Sequence, residues 1–127
     1  MAAMFEITVR TTFNATHAIV VGGQREPVHG HDWEVLATIA GPTLDDEHLL
    51  CDFHAVEAAL RAIVDPWRHA HLNDAAAFAG LEPTAERVAE AIASRLADAL
   101  EGVLPTDAAV SAVRVTEAPG CVATYLP

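Results

Sequence analysis

A pair of histidines separated by one residue stands in the stretch Pro27-Val28-His29-Gly30-His31-Asp32-Trp33. Alternate residues of a β-strand project to the same face of a sheet, so His29 and His31 would lie side by side. The same face continues with Trp33, Val35, Ala37 and Ile39. Neutral imidazole is the commonest zinc ligand, and the pair therefore predicts a metal site at the polar end of a core strand. The alternative is two unrelated histidines at the edge of a loop.

A third histidine ends an earlier alternating segment. Its alternating positions are Phe5, Ile7, Val9, Thr11, Phe13, Ala15 and His17. If the two segments pair as antiparallel neighbours, His17 lies beside His29 and His31. Three histidines with an open fourth position are typical of a catalytic zinc site rather than a structural one. The alternative is that His17 is a capped histidine on the surface.

The length and charge of the chain limit the classes of protein to which it can belong. A chain of 127 residues is long enough for a single domain, residues 1–127, with a sizeable core. The net charge of −11 argues against nucleic acid and anionic membranes as partners. No apolar run is long enough to span a bilayer, and the first residues lack the charged start of a signal peptide. The expected location is therefore the cytoplasm.

The basic side chains are seven arginines, with no lysine among them. In so acidic a chain, a site that binds an anionic substrate would need local positive charge from a metal ion or from arginine side chains. Arg25 and Arg68 lie in the same stretches as the candidate site histidines, and the arginine fork suits bidentate contacts with phosphate. These two residues are therefore candidate substrate-binding residues.

Two helices are predicted in the middle of the chain. Asp52 is expected to cap the first helix, which stops near Pro66, and Thr84 is expected to cap the second. Apolar residues recur at helical spacing after each cap. Gly102 and Pro105 end the second helix.

Two further strands are predicted after the helices. Residues 109–116 alternate and lead to a carboxylate at Glu117, and residues 121–126 return as a hairpin partner. The order ββααββ predicts an α+β fold, an antiparallel four-stranded sheet with two helices on one face. The edges of such a sheet need covering, so an oligomer is expected on physical grounds.

The order and spacing of several motifs resemble those of the 6-pyruvoyltetrahydropterin synthase and 6-carboxytetrahydropterin synthase family. The resemblance extends over nearly the whole chain. It rests on Phe13-Asn14-Ala15-Thr16-His17, His29-Gly30-His31-Asp32-Trp33, Asp52-Phe53, His69 with Leu72-Asn73-Asp74, Pro83-Thr84-Ala85-Glu86 and Val115-Thr116-Glu117.

The resemblance implies the tunnelling fold (T-fold), in which trimers close a barrel and two trimers stack into a homohexamer. It implies a Zn²⁺ cofactor with His17, His29 and His31 as the metal ligands. The carboxylate that anchors the pterin ring falls on Glu117, which can accept two hydrogen bonds from the pterin edge. The alternative for Glu117 is a surface charge at the end of a strand. The usual substrate of the family is the small molecule 7,8-dihydroneopterin triphosphate.

Two catalytic residues of the family are missing from this chain. Its cysteine usually stands four residues before the first histidine of His-Gly-His, and that position is Arg25 here. Its aspartate usually precedes the histidine that matches His69, and that position is Arg68. Neither Cys51 nor Cys121 is placed by sequence to substitute, so His69 alone is retained for proton transfer.

One branch of the family, which carries glutamate three residues before His-Gly-His, resembles this chain better. Glu26 occupies that position, and a carboxylate near zinc can act as a general base. The alternative is that Glu26 is a solvated loop residue. The branch cleaves the substrate to 6-hydroxymethyl-7,8-dihydropterin.

Two functional hypotheses therefore remain open. The first is a zinc-dependent pterin lyase with catalytic residues Glu26 and His69, whose product is of the hydroxymethyl type or of the 6-pyruvoyl or 6-carboxy type. The second is a zinc- and pterin-binding member of the family without synthase activity, adapted to another ligand. The sequence assigns no role to His71.

Overall fold

The structure, a computed structural model, describes residues 3–127. Its elements fold around one five-stranded sheet and one two-stranded hairpin. Within the described residues no helix is long and apolar enough to cross a membrane. The strands are β1 (Phe5–His17), β2 (Val20–Val21), β3 (Gln24–Arg25), β4 (His29–Gly41), β5 (Ala70–His71), β6 (Ala109–Ala118) and β7 (Cys121–Tyr125), and the α-helices are α1 (Phe53–Val64) and α2 (Ala85–Ala99).

The main sheet has the strand order β5-β1-β4-β6-β7. Neighbouring pairs among β1, β4, β6 and β7 are antiparallel, which confirms the predicted α+β class and the four predicted strands. The strand count differs by one, because β5 joins the edge of β1 in parallel, with Ala70 opposite Ala15 and His71 opposite Thr16. A two-residue strand is too short to show an alternating pattern, so the sequence predicts no strand there.

The pairing of β1 with β4 is continuous along both strands, from Phe5 opposite Gly41 to His17 opposite His29. Each strand has 13 residues, and their core-facing positions coincide throughout the register. A shift of one residue would turn the buried side chains of one strand to the opposite face. The register therefore fixes both the core and the neighbours of the histidines.

The core lies between one face of the sheet and the two helices. Both predicted helix caps are confirmed: the Asp52 carboxylate accepts from the His54 N–H at 2.8 Å, and the Thr84 hydroxyl accepts from the Arg87 N–H at 3.2 Å. The first helix ends at Val64, two residues before Pro66, as predicted. Fully buried side chains come from both layers, namely Trp33, Val35, Ala37 and Ile39 from the sheet and Val56, Leu60, Val64, Val88, Ile92 and Leu96 from the helices.

Trp33 joins this core to the histidines. Its indole stacks on Phe13 with ring centroids 5.9 Å apart, and its N–H donates to the Ala15 carbonyl at 3.3 Å. Its other edge meets the imidazoles of His17 and His31, at centroid distances of 4.9 and 5.6 Å. The indole therefore packs against the histidine cluster on one side and against the core on the other.

We expect Trp33→Ala to lower the free energy of unfolding by about 3–5 kcal/mol, because it leaves a large cavity between the core and the histidines. Urea unfolding measures the change. The matched control is Val122→Ala on β7, an exposed apolar position that should change stability by less than about 0.5 kcal/mol. A loss below about 1 kcal/mol for Trp33→Ala would contradict this description of the core.

Candidate metal centre

Three imidazoles and one carboxylate converge at one end of the sheet. One potential ligand atom from each of His17, His29, His31 and Glu117 lies within 4.8 Å of all the others. The His17 Nε2 atom is 3.1 Å from the His29 Nε2 atom and 2.9 Å from the Glu117 Oε1 atom. The strand register explains this convergence. The last residue of β1, His17, lies opposite the first residue of β4, His29, and the C-terminal end of β6 lies beside the same part of β4.

Backbone carbonyls orient two of the imidazoles. The Nδ1 atom of His17 is 2.8 Å from the Pro83 carbonyl oxygen, and that of His29 is 2.8 Å from the Pro27 carbonyl oxygen. A carbonyl can only accept, so in each contact Nδ1–H is the donor, and in the neutral ring Nε2 is then the nitrogen that carries the lone pair. This is the arrangement found around histidines that ligate metals. Backbone acceptors leave no sequence signal, so sequence reasoning did not find them.

His31 has a buried ring nitrogen without a partner. Its Nε2 atom makes no hydrogen bond to any described residue, and the nearest carboxylate oxygen, of Glu117, is 3.6 Å away. Burial lowers the pKa of His31 below its ordinary value, and this effect exceeds the opposing effect of Glu117. A neutral imidazole with an unpaired nitrogen facing two others fits a divalent metal such as zinc.

Glu117 reaches the cluster from the end of β6. It follows Val113 and Val115 on the face that packs against the core, and those two side chains are fully buried. The carboxylate itself is 26% exposed, so it stands at the mouth of the cluster. One carboxylate oxygen is 2.9 Å from the His17 Nε2 atom and 3.6 Å from the His31 Nε2 atom.

Glu26 lies at the rim of the same cluster. It follows the β2–β3 hairpin, whose turn is formed by Gly22 and Gly23 with φ angles of 59° and 81°, a conformation that favours glycine. The Glu26 carboxylate accepts from the Ile19 N–H at 3.2 Å and stands 3.5 Å from the His29 Nε2 atom. The hairpin therefore carries a carboxylate to within reach of the imidazoles.

His69 lies beside a cavity that also touches the cluster. The cavity has a volume of about 440 Å³ and is lined by residues that include Asn14, His31, Asp32 and His69. His69 has a φ angle of 57°, and its N–H is held by the main-chain and side-chain oxygens of Asn14 at 2.8 and 3.2 Å. Two candidate site histidines therefore border one open space. Sequence reasoning did not identify the role of Asn14.

Arg25 and Arg68 are engaged within the chain. The guanidinium of Arg25 contacts the carboxylate of Glu82, and that of Arg68 donates to Asp65 at 2.7 Å and to the Thr12 carbonyl at 2.6 Å. Arg68 also lines a second cavity together with His69. The role of both arginines in binding phosphate stays a prediction.

A family model described as 6-pyruvoyl tetrahydropterin synthase matches residues 6–127. Among curated proteins, none matches the sequence of this chain. The fold is similar to that of a 6-pyruvoyl tetrahydropterin synthase from Caenorhabditis elegans, with a TM-score of 0.81 and 17% identity over 99% of this chain and 97% of that chain.

The same enzyme from two Plasmodium species is also similar in fold. The Plasmodium vivax protein has a TM-score of 0.79 and 18% identity over 97% of each chain. The Plasmodium falciparum protein has a TM-score of 0.78 and 16% identity over 96% of each chain. Two further structures of the P. vivax protein carry substitutions of a glutamate that is described as a catalytic residue. At these identities the similarity shows the fold.

The lowered pKa of His31 makes the stability of the metal-free protein depend on pH. Between the folded and unfolded pKa values the unfolded chain binds more protons, so the free energy of unfolding falls as pH decreases below about 6.5. Urea unfolding of the metal-free protein on both sides of that pH measures the slope. His31→Gln cannot titrate and should show a shallower slope, and equal slopes in the two proteins would contradict the prediction.

Proposed function

Because the chain belongs to the 6-pyruvoyl tetrahydropterin synthase family, we propose that it is a zinc-dependent lyase acting on 7,8-dihydroneopterin triphosphate. Membership of this family supports a lyase that metabolises pterins. The observation that carries the proposal is the convergence of three imidazoles beside an open cavity. The product is 6-hydroxymethyl-7,8-dihydropterin, or a tetrahydropterin with a 6-pyruvoyl or 6-carboxy group.

In this proposal His17, His29 and His31 hold the zinc ion through their Nε2 atoms. A bound zinc ion lowers the pKa of a hydroxyl group or water molecule attached to it. The carbonyl groups that accept from Nδ1 support this role, because they keep two of the imidazoles in the tautomer that a metal requires. The unpaired nitrogen of His31 supports it as well.

Glu117 is proposed to anchor the pterin ring. A carboxylate can accept hydrogen bonds from both the 2-amino group and the N3–H group of a pterin. The position of Glu117 at the mouth of the cluster supports this role, since an anchored ring would hold its side chain close to the imidazoles.

Glu26 and His69 are proposed to move protons. Formation of the hydroxymethyl product breaks a carbon–carbon bond next to a hydroxyl group, which requires a base that takes the hydroxyl proton and an acid that protonates the carbon left behind. Glu26 stands beside His29, and His69 borders the cavity that His31 also lines, so each group lies near one of the proposed metal ligands. The glutamate described as catalytic in the P. vivax protein gives further support to a carboxylate in this role.

The active assembly is proposed to be a homohexamer made of two trimers. Among the described residues, β5 pairs with β1 only at Ala15 and Thr16, which leaves most of that edge without a strand partner. The opposite edge of the sheet is β7. In a closed trimer, each edge would be covered by a different neighbouring copy of the chain. The cytoplasmic location stays a prediction.

The second candidate function is a zinc- and pterin-binding protein without synthase activity. The observation that favours it is the engagement of Arg25 and Arg68 with carboxylates of the same chain, at the two positions where the family usually has its cysteine and aspartate. A protein of this kind would bind zinc and a pterin but release the ligand unchanged.

Incubation of the zinc-loaded protein with 7,8-dihydroneopterin triphosphate tests the proposed function. We expect mass spectrometry to detect a product that disappears after chelation of the metal. His31→Ala should lose both zinc and product, whereas His54→Ala, a histidine whose side chain is 90% exposed on α1, should keep both. Product formation that survives chelation would contradict the proposal. Bound zinc and pterin with no product would establish the second candidate.

Glu117→Gln separates the role of this residue in pterin binding from a role in holding the metal. The change keeps the shape of the side chain but removes a charged acceptor, so the dissociation constant for a pterin should rise roughly tenfold to a hundredfold with zinc content unchanged. Glu57→Gln on α1 is the control and should leave both quantities unaltered. Loss of zinc from Glu117→Gln would instead identify Glu117 as a metal ligand.

Glu26→Ala should lower turnover by roughly two to four orders of magnitude while zinc remains bound, the effect expected for one general base. Gln24→Ala in the same hairpin is the control, because it removes an exposed side chain from β3 without touching the cluster. Steady-state kinetics and elemental analysis give the two readouts. Turnover within about threefold of the wild type would remove Glu26 from the mechanism and leave His69 as the candidate.

A further inference from the structure

The guanidinium of Arg25 joins two segments that are 57 residues apart in the chain. Its Nη2 atom donates to one carboxylate oxygen of Glu82 at 2.5 Å, and its Nη1 atom is 3.3 Å from the other oxygen. The Nη1 atom also donates to the Ala18 carbonyl at 3.1 Å. The rigid arginine fork thus fixes the β2–β3 hairpin against the segment that leads into α2.

One end of this connection leads directly to His17. Glu82 precedes Pro83, whose carbonyl oxygen accepts from His17 Nδ1 at 2.8 Å. The Ala18 carbonyl, which accepts from Arg25, belongs to the residue that follows His17. Asn73 holds the same residue, because its side-chain amide accepts from the Ala18 N–H at 2.9 Å and donates to the Ala18 carbonyl at 2.7 Å. The buried imidazole is therefore fixed through its ring and through the adjacent backbone.

The other end of the connection leads to Glu26, the next residue after Arg25. The hairpin has two strands of two residues each, and the side chains of Val20 and Val21 are 43% and 61% exposed. Apolar burial therefore does little to attach the hairpin to the body of the protein. The Glu26 N–H donates to the Ile19 carbonyl at 3.0 Å and its carboxylate accepts from the Ile19 N–H at 3.2 Å, so Glu26 is held within the hairpin. The contact of Arg25 with Glu82 then helps to position the hairpin, and with it the Glu26 carboxylate, relative to the rest of the protein.

We propose that the Arg25–Glu82 ion pair is a positioning device for the metal centre, which holds His17 and Glu26 in place, and that it does not serve to bind phosphate. The inference rests on the proposed function, since it assumes that His17 binds zinc. Both side chains are partly exposed, so the pair contributes little to global stability. The pair acts on the geometry of the metal ligands instead, and metal affinity is more sensitive to that geometry than the free energy of unfolding is.

The two possible roles of Arg25, positioning and phosphate binding, predict different effects of Glu82→Ala. If Arg25 is a positioning residue, removal of Glu82 breaks the contact between the hairpin and the segment that leads into α2 and weakens metal binding, as does Arg25→Ala, which also loses the Ala18 contact. If Arg25 binds phosphate, removal of Glu82 frees the guanidinium and tightens binding of the triphosphate. Zinc affinity by chelator competition, the visible spectrum of the Co²⁺-substituted protein and the binding of dihydroneopterin with and without its triphosphate distinguish the two.

We expect Arg25→Ala and Glu82→Ala each to weaken zinc binding about tenfold and to change the Co²⁺ spectrum. The double variant should bind zinc no more weakly than Arg25→Ala alone, because Glu82 acts on the site only through its contact with Arg25. Arg61→Ala, which removes an arginine paired with Glu57 within α1, is the matched control and should leave both readouts unchanged. The thermal unfolding midpoints of the metal-free variants should stay close to that of the wild type, which separates positioning from misfolding.

Several results would overturn the inference. Unchanged zinc affinity in Arg25→Ala would do so, as would tighter triphosphate binding in Glu82→Ala or losses that add in the double variant. A wild-type protein that binds no zinc would overturn both the inference and the proposed function. Zinc bound by the wild type with no change in the variants would overturn the inference alone.

Discussion

The in-register pairing of β1 with β4 is the constraint on which the rest of the structure depends. It aligns two 13-residue strands so that their apolar positions share the core face and their histidines meet at one end. Trp33 then links the two parts, because it packs on Phe13 and supports His17 and His31. The same hydrophobic alternation that specifies the sheet therefore also assembles the candidate metal centre.

The electrostatics of the cluster are those of a cation site. The chain carries a net charge of −11, and the carboxylates of Glu26 and Glu117 lie next to the three imidazoles. Burial lowers the pKa of His31 and so favours its neutral form, and the carbonyl contacts of His17 and His29 favour the neutral tautomer whose Nε2 lone pair faces the cluster. Neutral donors surrounded by negative charge favour a divalent metal ion, which would also satisfy the unpaired nitrogen of His31.

The long alternating segments and the caps at Asp52 and Thr84 could be predicted from sequence, because periodicity and cap chemistry are local properties. The fifth strand could not, since two residues carry no periodic signal and their pairing depends on the edge of β1. The contacts of Arg25 with Glu82 and of Arg68 with the Thr12 carbonyl could not be predicted either, because each joins segments that only the folded chain brings together. The family predicted from the motifs is confirmed, whereas the branch indicated by Glu26 stays a prediction.

X-ray absorption at the zinc edge identifies the atoms bound to the metal, rather than the consequences of binding, and so decides whether the three histidines are ligands. We expect three nitrogen ligands at about 2.0–2.1 Å with the outer-shell scattering of imidazole, and one further light ligand. Sulfur at about 2.3 Å would place the metal at a cysteine and contradict the account. A spectrum with fewer than three imidazoles would contradict it equally.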